Sequence, residues 1–381
     1  MSRLPLEKLD LHEIYKALAT TPEKSVAVES FCKNPRRYVI DVRSPGEFKA
    51  GHVPGAVNVP LFSDEQRAEI GTTYKELGSE KAVDLGLEIT TGQLSRLVSG
   101  LEKVLRAAAA ESSHETPVLH CWRGGMRSRA VKWLCSQMGY PVELLEDGYK
   151  GFRRFGNREL EQARKIIVLA GPTGVGKTKL LHRLAELGEQ VIDLEGLAKH
   201  RGSVFGGLEG IEQPTVEQFQ NEIYTCWHQL DPNRLVWVEG ESQMIGRAVI
   251  PEGLWKQIIV APMIFAEASV EDRAVFLLGD FGSRDAGKMK AFASRIKKRL
   301  GGLRYQESID AVDRGDWREF CLIMLNYYDK YYQKALEKRA PETFERIKLM
   351  KPGLLESETE LIELAEKMVN RSLATRDSSI N

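Results

Sequence analysis

Lys165-Ile-Ile-Val-Leu-Ala170-Gly171-Pro-Thr-Gly-Val-Gly176-Lys177-Thr178 decides how the second half of the chain folds. The unbroken apolar run reads as a strand buried on both faces, the kind found inside parallel sheets. The loop after it matches G-x-x-x-x-G-K-T, and a helix is expected over residues 177–187. Strand, glycine-rich loop and helix in that order are the context this phosphate-binding motif requires. Backbone N–H groups and the helix N-terminus would cradle a diphosphate, with Lys177 neutralising it and Thr178 facing a magnesium ion. Gly171, Thr173, Gly174, Val175, Gly176, Lys177 and Thr178 are therefore the candidate phosphate-binding residues. No adenine-specific signal accompanies them, so the phosphate compound stays open.

Downstream, residues 191–193, 235–238 and 257–261 read as further strands, and after about residue 265 the pattern is helical and charged to the end. The run 235–238 leads into Glu239, where many nucleotide hydrolases carry an acid for magnesium. Glu239, Glu241 and Asp193 are candidates for a metal-linked role, set against an ordinary life as solvated strand-end carboxylates. Upstream, residues 38–42, 57–59 and 117–120 read as strands alternating with helical stretches, again the pattern of a parallel α/β sheet. Residues 64–105 read as a helical insertion, with 107–110 close to its end. An Arg- and Glu-rich stretch, 151–164, reads as the connector between a first domain, 1–155, and a second, 156–381.

The strand at 117–120 runs into Cys121-Trp-Arg-Gly-Gly-Met-Arg-Ser128, a C-x5-R loop ahead of an amphipathic stretch at 128–138. Small residues at Gly124 and Gly125 let the N–H groups of Met126, Arg127 and Ser128 converge on an anion. Arg123 and Arg127 add charge-assisted hydrogen bonds, and the helix N-terminus adds positive potential. Such a field favours a thiolate, making Cys121 the candidate nucleophile. A structural cysteine at a strand end is the alternative. Cys32, Cys135, Cys226 and Cys321 have no such cradle and read as small hydrophobes.

Asp41-Val-Arg43-Ser-Pro-Gly-Glu47-Phe, followed by Gly51-His52-Val-Pro-Gly55-Ala56, resembles the N-terminal signature of rhodanese domains, with Cys121 on that fold's active loop. The resemblance spans residues 35–150 and makes His52 structural. The expected fold class is thus α/β: an N-terminal rhodanese-like parallel-sheet domain, then a P-loop α/β domain with a helical C-terminal region. Adding Asp193-Leu-Glu-Gly-Leu-Ala-Lys-His-Arg-Gly-Ser203-Val-Phe-Gly206 and Glu239-Gly-Glu-Ser-Gln-Met-Ile-Gly246, the chain resembles the tRNA 2-selenouridine synthase family over about residues 35–335.

That resemblance implies a tRNA substrate carrying wobble 2-thiouridine. Geranyl diphosphate would alkylate its sulfur, and selenium from selenophosphate would then replace the S-geranyl group. It implies that Cys121 carries selenium. Arg123 and Arg127 would hold the phosphate of selenophosphate while the thiolate attacks selenium, and the P-loop would take geranyl diphosphate. No tightly bound cofactor is expected, and magnesium stays open.

Composition is that of an ordinary globular chain of 381 residues, with 54 basic and 54 acidic residues. Net charge therefore announces no polyanion partner, and an RNA surface has to come from local clustering. The densest basic stretch is Lys288, Lys290, Arg295, Lys297, Lys298 and Arg299, continuing to Arg304. It suits an RNA backbone or a solvated helix face equally. Arg201 and Ser203 are further candidate RNA contacts, and His200 has no assigned role. Tyr327, Tyr328, Tyr331 and Tyr332 read as core packing ahead of base stacking.

Five scattered cysteines without a C-x-x-C pair argue against disulfides and structural zinc. The N-terminus lacks a signal peptide's apolar core, and no apolar run approaches the ~18–20 residues of a membrane span. A cytoplasmic enzyme with no membrane association and no obligate protein partner is expected. Two enzymatic alternatives remain at this level: a rhodanese-fold phosphatase, and a P-loop kinase with a regulatory rhodanese module. A tRNA-binding protein with decayed sites is a third.

Overall fold

A computed structural model describes residues 25–34, 37–110, 115–200, 212–280, 285–337 and 339–378. It divides into two compact units, one formed by the chain up to Glu159 together with Gln220–Gln229, the other by the rest.

The first unit runs β1 (Ser25–Val26), α1 (Val28–Cys32), β2 (Val39–Asp41), α2 (Pro45–Ala50), β3 (Val57–Asn58), α3 (Asp64–Leu77), α4 (Ser79–Ala110), β4 (Val118–His120), α5 (Met126–Gln137), β5 (Glu143–Leu145) and α6 (Gly148–Glu161). Its strands form one parallel sheet in the order β1-β5-β4-β2-β3. β2 and β4 are buried throughout, as their apolar runs demand. Ile40, Leu119, Val131 and Leu144 form its core with Leu97, Leu101 and Leu105 of α4. The helical insertion expected at 64–105 is the α3–α4 hairpin. α4 bends at Gln93, whose φ of −122° leaves the helical region and whose Nε2 donates to Leu61 O at 2.5 Å. Most of the expected connector, 151–164, is the body of α6.

The second unit contains β6 (Ile166–Ala170), α7 (Lys177–Glu186), β7 (Gln190–Ile192), α8 (Leu194–Leu197), the start of α9 (Val216–Gln229), β8 (Val236–Glu239), a small hairpin of β9 (Met244–Ile245) and β10 (Ala248–Val249), α10 (Glu252–Val260), β11 (Met263–Glu267), α11 (Val270–Asp280), α12 (Ala286–Leu300), α13 (Gly302–Asp313), α14 (Trp317–Leu336), β12 (Phe344–Lys348) and α15 (Glu358–Ser378). Five strands pair in parallel in the order β12-β11-β6-β8-β7. β6 is central and buried at all five positions. Helices α11 to α14 enclose their own core around Phe292, Phe320 and Met324.

Two readings of this half need correction. Residues 257–261 are not a strand: they close α10, which buries Leu254 and Ile258 four residues apart and exposes Ile259 and Val260. The neighbouring strand lies beyond Pro262, at β11. A helix and a strand each contribute a short apolar run there, and composition alone does not separate them. The chain is also not helical to its end. β12, Phe344-Glu-Arg-Ile-Lys348, pairs with β11 on one side only, and a charged edge strand lacks the apolar continuity of a central one.

Each sheet has its glycine-rich loop immediately after its central strand, the cysteine loop after β4 and the P-loop after β6. In open parallel sheets the carboxyl ends of the strands are where ligands bind.

Candidate functional site

Cys121 leaves the end of β4 almost fully buried, at 3% exposure. Its Sγ lies 3.3 Å from Ser128 Oγ, which itself donates to Gly125 O at 3.0 Å. α5 starts at Met126 with Gly125 as N-cap and no side-chain cap, so its first N–H groups are left for an anion. The loop is held from below by backbone bonds, Tyr149 N to Cys121 O and Lys150 N to Trp122 O, each at 2.9 Å. That approach is tight. Gly148 has φ +56°, and a Cβ there would stand 2.4 Å from Cys121 O.

Under the loop, Asp41 and Arg43 form an ion pair with no exposure of either side chain, at 2.7 Å. Arg43 also donates to Gly51 O at 2.6 Å, and its guanidinium lies 3.8 Å over the Tyr149 ring. Burial would raise the Asp41 carboxyl, but His120 and Arg43 together bring it below its ordinary range. His52 Nδ1 bonds Phe48 O at 3.0 Å and the ring stacks on Phe48. Asn221 donates to His52 O at 2.8 Å and to the Tyr149 hydroxyl at 2.7 Å.

The two loop arginines differ. Arg123 is exposed. Arg127 is engaged, donating to Glu47 Oε2 at 2.9 Å. Burial pushes the Glu47 carboxyl up, yet the Arg127 hydrogen bond and charge leave it lowered. Burial raises the thiols of Cys32, Cys135 and Cys321 to about 12, and that of Cys226 in the same direction; Cys135 and Cys321 are fully buried in the cores.

In the second unit the P-loop borders a cavity of about 1280 Å³. Gly174 and Gly176 take positive φ, +77° and +82°. At Gly176 a Cβ would come within 2.4 Å of Gly353 N, because the strap after β12 crosses there and Gly353 N donates to Val175 O at 2.9 Å. Lys177 Nζ lies 3.3 Å from Glu241 Oε1 and 3.5 Å from Gly171 O. Thr178 Oγ1 donates to Glu239 Oε1 at 3.3 Å. Glu195, Glu239 and Glu241 bring carboxylate oxygens within 4.8 Å of one another. Burial would lower the Lys177 ammonium, but Glu241 and its neighbours outweigh that and raise it. Burial and Glu239 push Glu195 up to about 9; burial pushes Glu239 to about 7 despite the opposing pull of Lys177. Three carboxylates and a hydroxyl are an oxygen donor set that fits a hard divalent cation.

Asp193 stands apart from this cluster. It caps α8, accepting from Gly196 N at 2.8 Å, and bonds His182 Nε2 at 3.0 Å. Glu195, two residues on, is the one that meets Glu239 and Glu241, and nothing in the spacing singled it out. One further residue was missed, and Tyr332, read above as core packing, sits at the P-loop instead. Arg273, 2% exposed, donates to Thr173 O at 3.0 Å while gripping Asp329 at 2.9 and 2.5 Å. Tyr332 Oη lies 3.5 Å from Thr173 Oγ1 and lines the cavity.

Lys288, Lys290, Arg295, Lys297, Lys298 and Arg299 all fall on α12, which buries Met289, Phe292, Ala293 and Ile296 instead. Lys290 pairs with Asp313, and Lys297 Nζ sits 4.6 Å over the Tyr305 ring. Arg299 and Arg304 line a groove with Lys330 and Lys334, two bases the sequence did not single out. Arg201 and Ser203 lie outside the described residues. Among the described residues no helix is long and apolar enough to cross a membrane.

Residues 27–155 match the family description "Rhodanese-like domain", and residues 164–349 match "tRNA 2-selenouridine synthase AAA domain". Full-length relatives agree. A tRNA 2-selenouridine synthase of Nitrosomonas europaea is 31% identical over 79% of this chain and 89% of its own length. Those of Shewanella denitrificans, at 34% over 80% and 89%, and Bdellovibrio bacteriovorus, at 33% over 79% and 89%, are similar to the same extent.

Proposed function

Because the chain belongs to the tRNA 2-selenouridine synthase family, whose members modify tRNA, we propose that it converts wobble 2-thiouridine of tRNA to 2-selenouridine in two steps, geranylation and selenation. The observation that carries this reading is the presence on one chain of an uncapped anion loop around Cys121 and a P-loop backed by carboxylates.

In the first step the thiocarbonyl sulfur attacks C1 of geranyl diphosphate. An S–C bond forms, the C–O bond breaks and diphosphate leaves. The P-loop is suited to that leaving group, since its N–H groups and Lys177 meet charge that grows as the bond breaks. A magnesium ion fits beside it on Thr178, Glu239, Glu241 and Glu195, and would neutralise the diphosphate. In the second step the selenium of selenophosphate attacks C2: a C–Se bond forms, the C–S bond breaks and the geranyl thiol departs, after which water cleaves the P–Se bond and releases phosphate. Cys121, at the base of the anion loop, positions the selenophosphate for that attack. Selenophosphate is a small oxyanion matched to the N-terminus of α5 and to Arg123, with Arg127 joining once it exchanges Glu47 for phosphate. The reaction needs no tightly bound cofactor.

The basic face of α12 and the groove at Arg299 and Arg304 are the surface offered to the tRNA backbone. The setting is cytoplasmic, where such tRNA is found. The phosphatase reading leaves the P-loop without a purpose, and the kinase reading gives the Cys121 loop only a regulatory one.

The test is direct. The protein is incubated with a 2-thiouridine anticodon stem-loop, geranyl diphosphate and selenophosphate, and nucleoside masses are measured. S-geranyl and selenium products are expected; the absence of both sinks the proposal.

A further inference from the structure

The α3–α4 hairpin does something the sheet does not need. α3 has no buried residue at all, and a hairpin serving only as packing would close onto the domain. Instead a cavity of about 850 Å³ remains between the hairpin and the cysteine loop. Its walls are hydrocarbon, from Ile70, Val83 and Leu87 on the hairpin to Trp122 and Met126 on the loop, and Cys121 itself forms part of the lining. Tyr74 and Met126, both lining residues, are 61% and 42% exposed. Apolar walls around an open void lose contacts on one side, so a cavity of this kind is matched to an apolar occupant. Its size falls within the ~300–1,000 Å³ of small-molecule sites.

The rim has the opposite character. Arg67, Arg123 and Arg127 border the cavity, and Arg67 and Arg127 converge on Glu47 at 3.7 and 2.9 Å. An apolar interior, a thiol in the wall and a cationic rim suit a short hydrocarbon chain carried on an anionic body. The P-loop cavity is the more polar of the two, lined by Lys177, Glu195, Glu241 and Arg183 beside Phe276 and Leu277.

We infer that the cavity between the α3–α4 hairpin and Cys121 is a prenyl site, holding the ten-carbon chain of the geranyl group with its sulfur end toward Cys121. This rests on the two-step reading above and adds to it a place for the chain. The chain can arrive as the diphosphate ester or already attached to the base sulfur. Held on the base sulfur, the chain keeps the departing geranyl thiol beside Cys121 and away from water; held as the diphosphate ester, it is the group to be transferred.

Gly86 is the position to test. A Cβ there would meet Phe62 Cζ at 3.5 Å, an ordinary contact, and the residue lines the cavity, so Gly86→Leu fills space without opposing the backbone. Thr90→Phe fills it from the next turn of α4. Three constants are measured on the full chain: KM for an S-geranyl anticodon stem-loop in selenation, KM for geranyl diphosphate in transfer, and Kd for the unprenylated 2-thiouridine stem-loop.

Each displaced methylene is worth about fourfold in affinity, so at least one prenylated arm should weaken tenfold or more while the unprenylated stem-loop stays within twofold. Weakening confined to the geranyl diphosphate arm assigns the cavity to the donor; weakening in the S-geranyl arm assigns it to the modified base. Unchanged constants in both prenylated arms, or equal weakening of the unprenylated stem-loop, overturn the prenyl site. Should both variants unfold, the wild type still decides: affinity must climb from S-methyl through S-dimethylallyl to S-geranyl stem-loops, and a flat series overturns the inference. A wild type that turns over no S-geranyl stem-loop refutes the two-step reading itself, a different result from a flat series.

Discussion

Lys177 and Glu241 face each other across the P-loop at 3.3 Å, so the ammonium that should meet a phosphate is already held by a carboxylate. A ligand diphosphate therefore exchanges one anionic partner for another, and a cation beside it compensates Glu241. Lys177→Ala removes the charge that makes the exchange worthwhile. Geranyl transfer should fall by a hundredfold or more. Selenation of a pre-geranylated stem-loop should stay within threefold; loss of selenation with geranyl transfer intact would place a different ligand on the P-loop.

The carboxylates behind that lysine set a pH dependence. Glu239 and Glu195 are raised to about 7 and about 9 in the folded protein. The folded state then holds protons that the unfolded chain releases. Their contribution to stability is present at low pH and declines as pH rises from the ordinary carboxylate range toward 9. A divalent cation competes with those protons and removes the repulsion. The rise in Tm on adding magnesium should accordingly be small at pH 6 and larger at pH 8.5, as followed by calorimetry. Equal rises at both pH values would argue against binding at these three residues.

Cys121→Ser should abolish selenium incorporation and leave S-geranyl nucleoside to accumulate. Gly148→Ala makes a subtler test of the same loop. Its Cβ would sit 2.4 Å from Cys121 O and 2.5 Å from Gly124 N, forcing the loop to move. Selenation of a pre-geranylated stem-loop should drop at least tenfold, read from the nucleoside masses. Wild-type selenation by Gly148→Ala would show that the loop geometry is not what Cys121 depends on.

Arg43→Met takes the guanidinium partner from the Asp41 carboxyl in the core of the first unit, leaving it with His120 at 3.8 Å. Breaking a buried pair by removing one partner costs about 3–5 kcal/mol, which urea unfolding monitored by tryptophan fluorescence can read. Asp41→Asn with Arg43→Met together should recover part of that loss. A single variant as stable as wild type would mean the pair contributes little.

Arg299→Ala with Arg304→Ala should weaken tRNA binding without changing either chemical step at saturation. The salt dependence of binding should flatten by about one unit of slope per lost phosphate contact. An unaltered slope would turn the α12 face into a solvated helix surface.

The two anion loops, the parallel sheets and the helical hairpin were legible because each rests on local rules. A buried strand needs an apolar run, a phosphate loop needs glycine backbone, and Cys121 sits within its own loop motif. The α10 segment at 257–261 and the edge strand β12 were misread because a short apolar run and a charged alternation do not fix one conformation by themselves.

What the sequence by itself determined was where the two loops suited to anions lie, since loop and helix N-terminus are adjacent in the chain. Only the tertiary structure decided who surrounds them. Glu195 comes from α8, Glu239 and Glu241 from the end of β8 and just beyond it, Arg273 from α11 and Tyr332 from α14, and all converge on one loop. The cavity beside Cys121 is likewise lined by hairpin residues between Arg67 and Thr90, more than thirty residues upstream of it in the chain. Contacts between residues far apart in sequence follow from how sheets and helices pack, and no spacing rule records them.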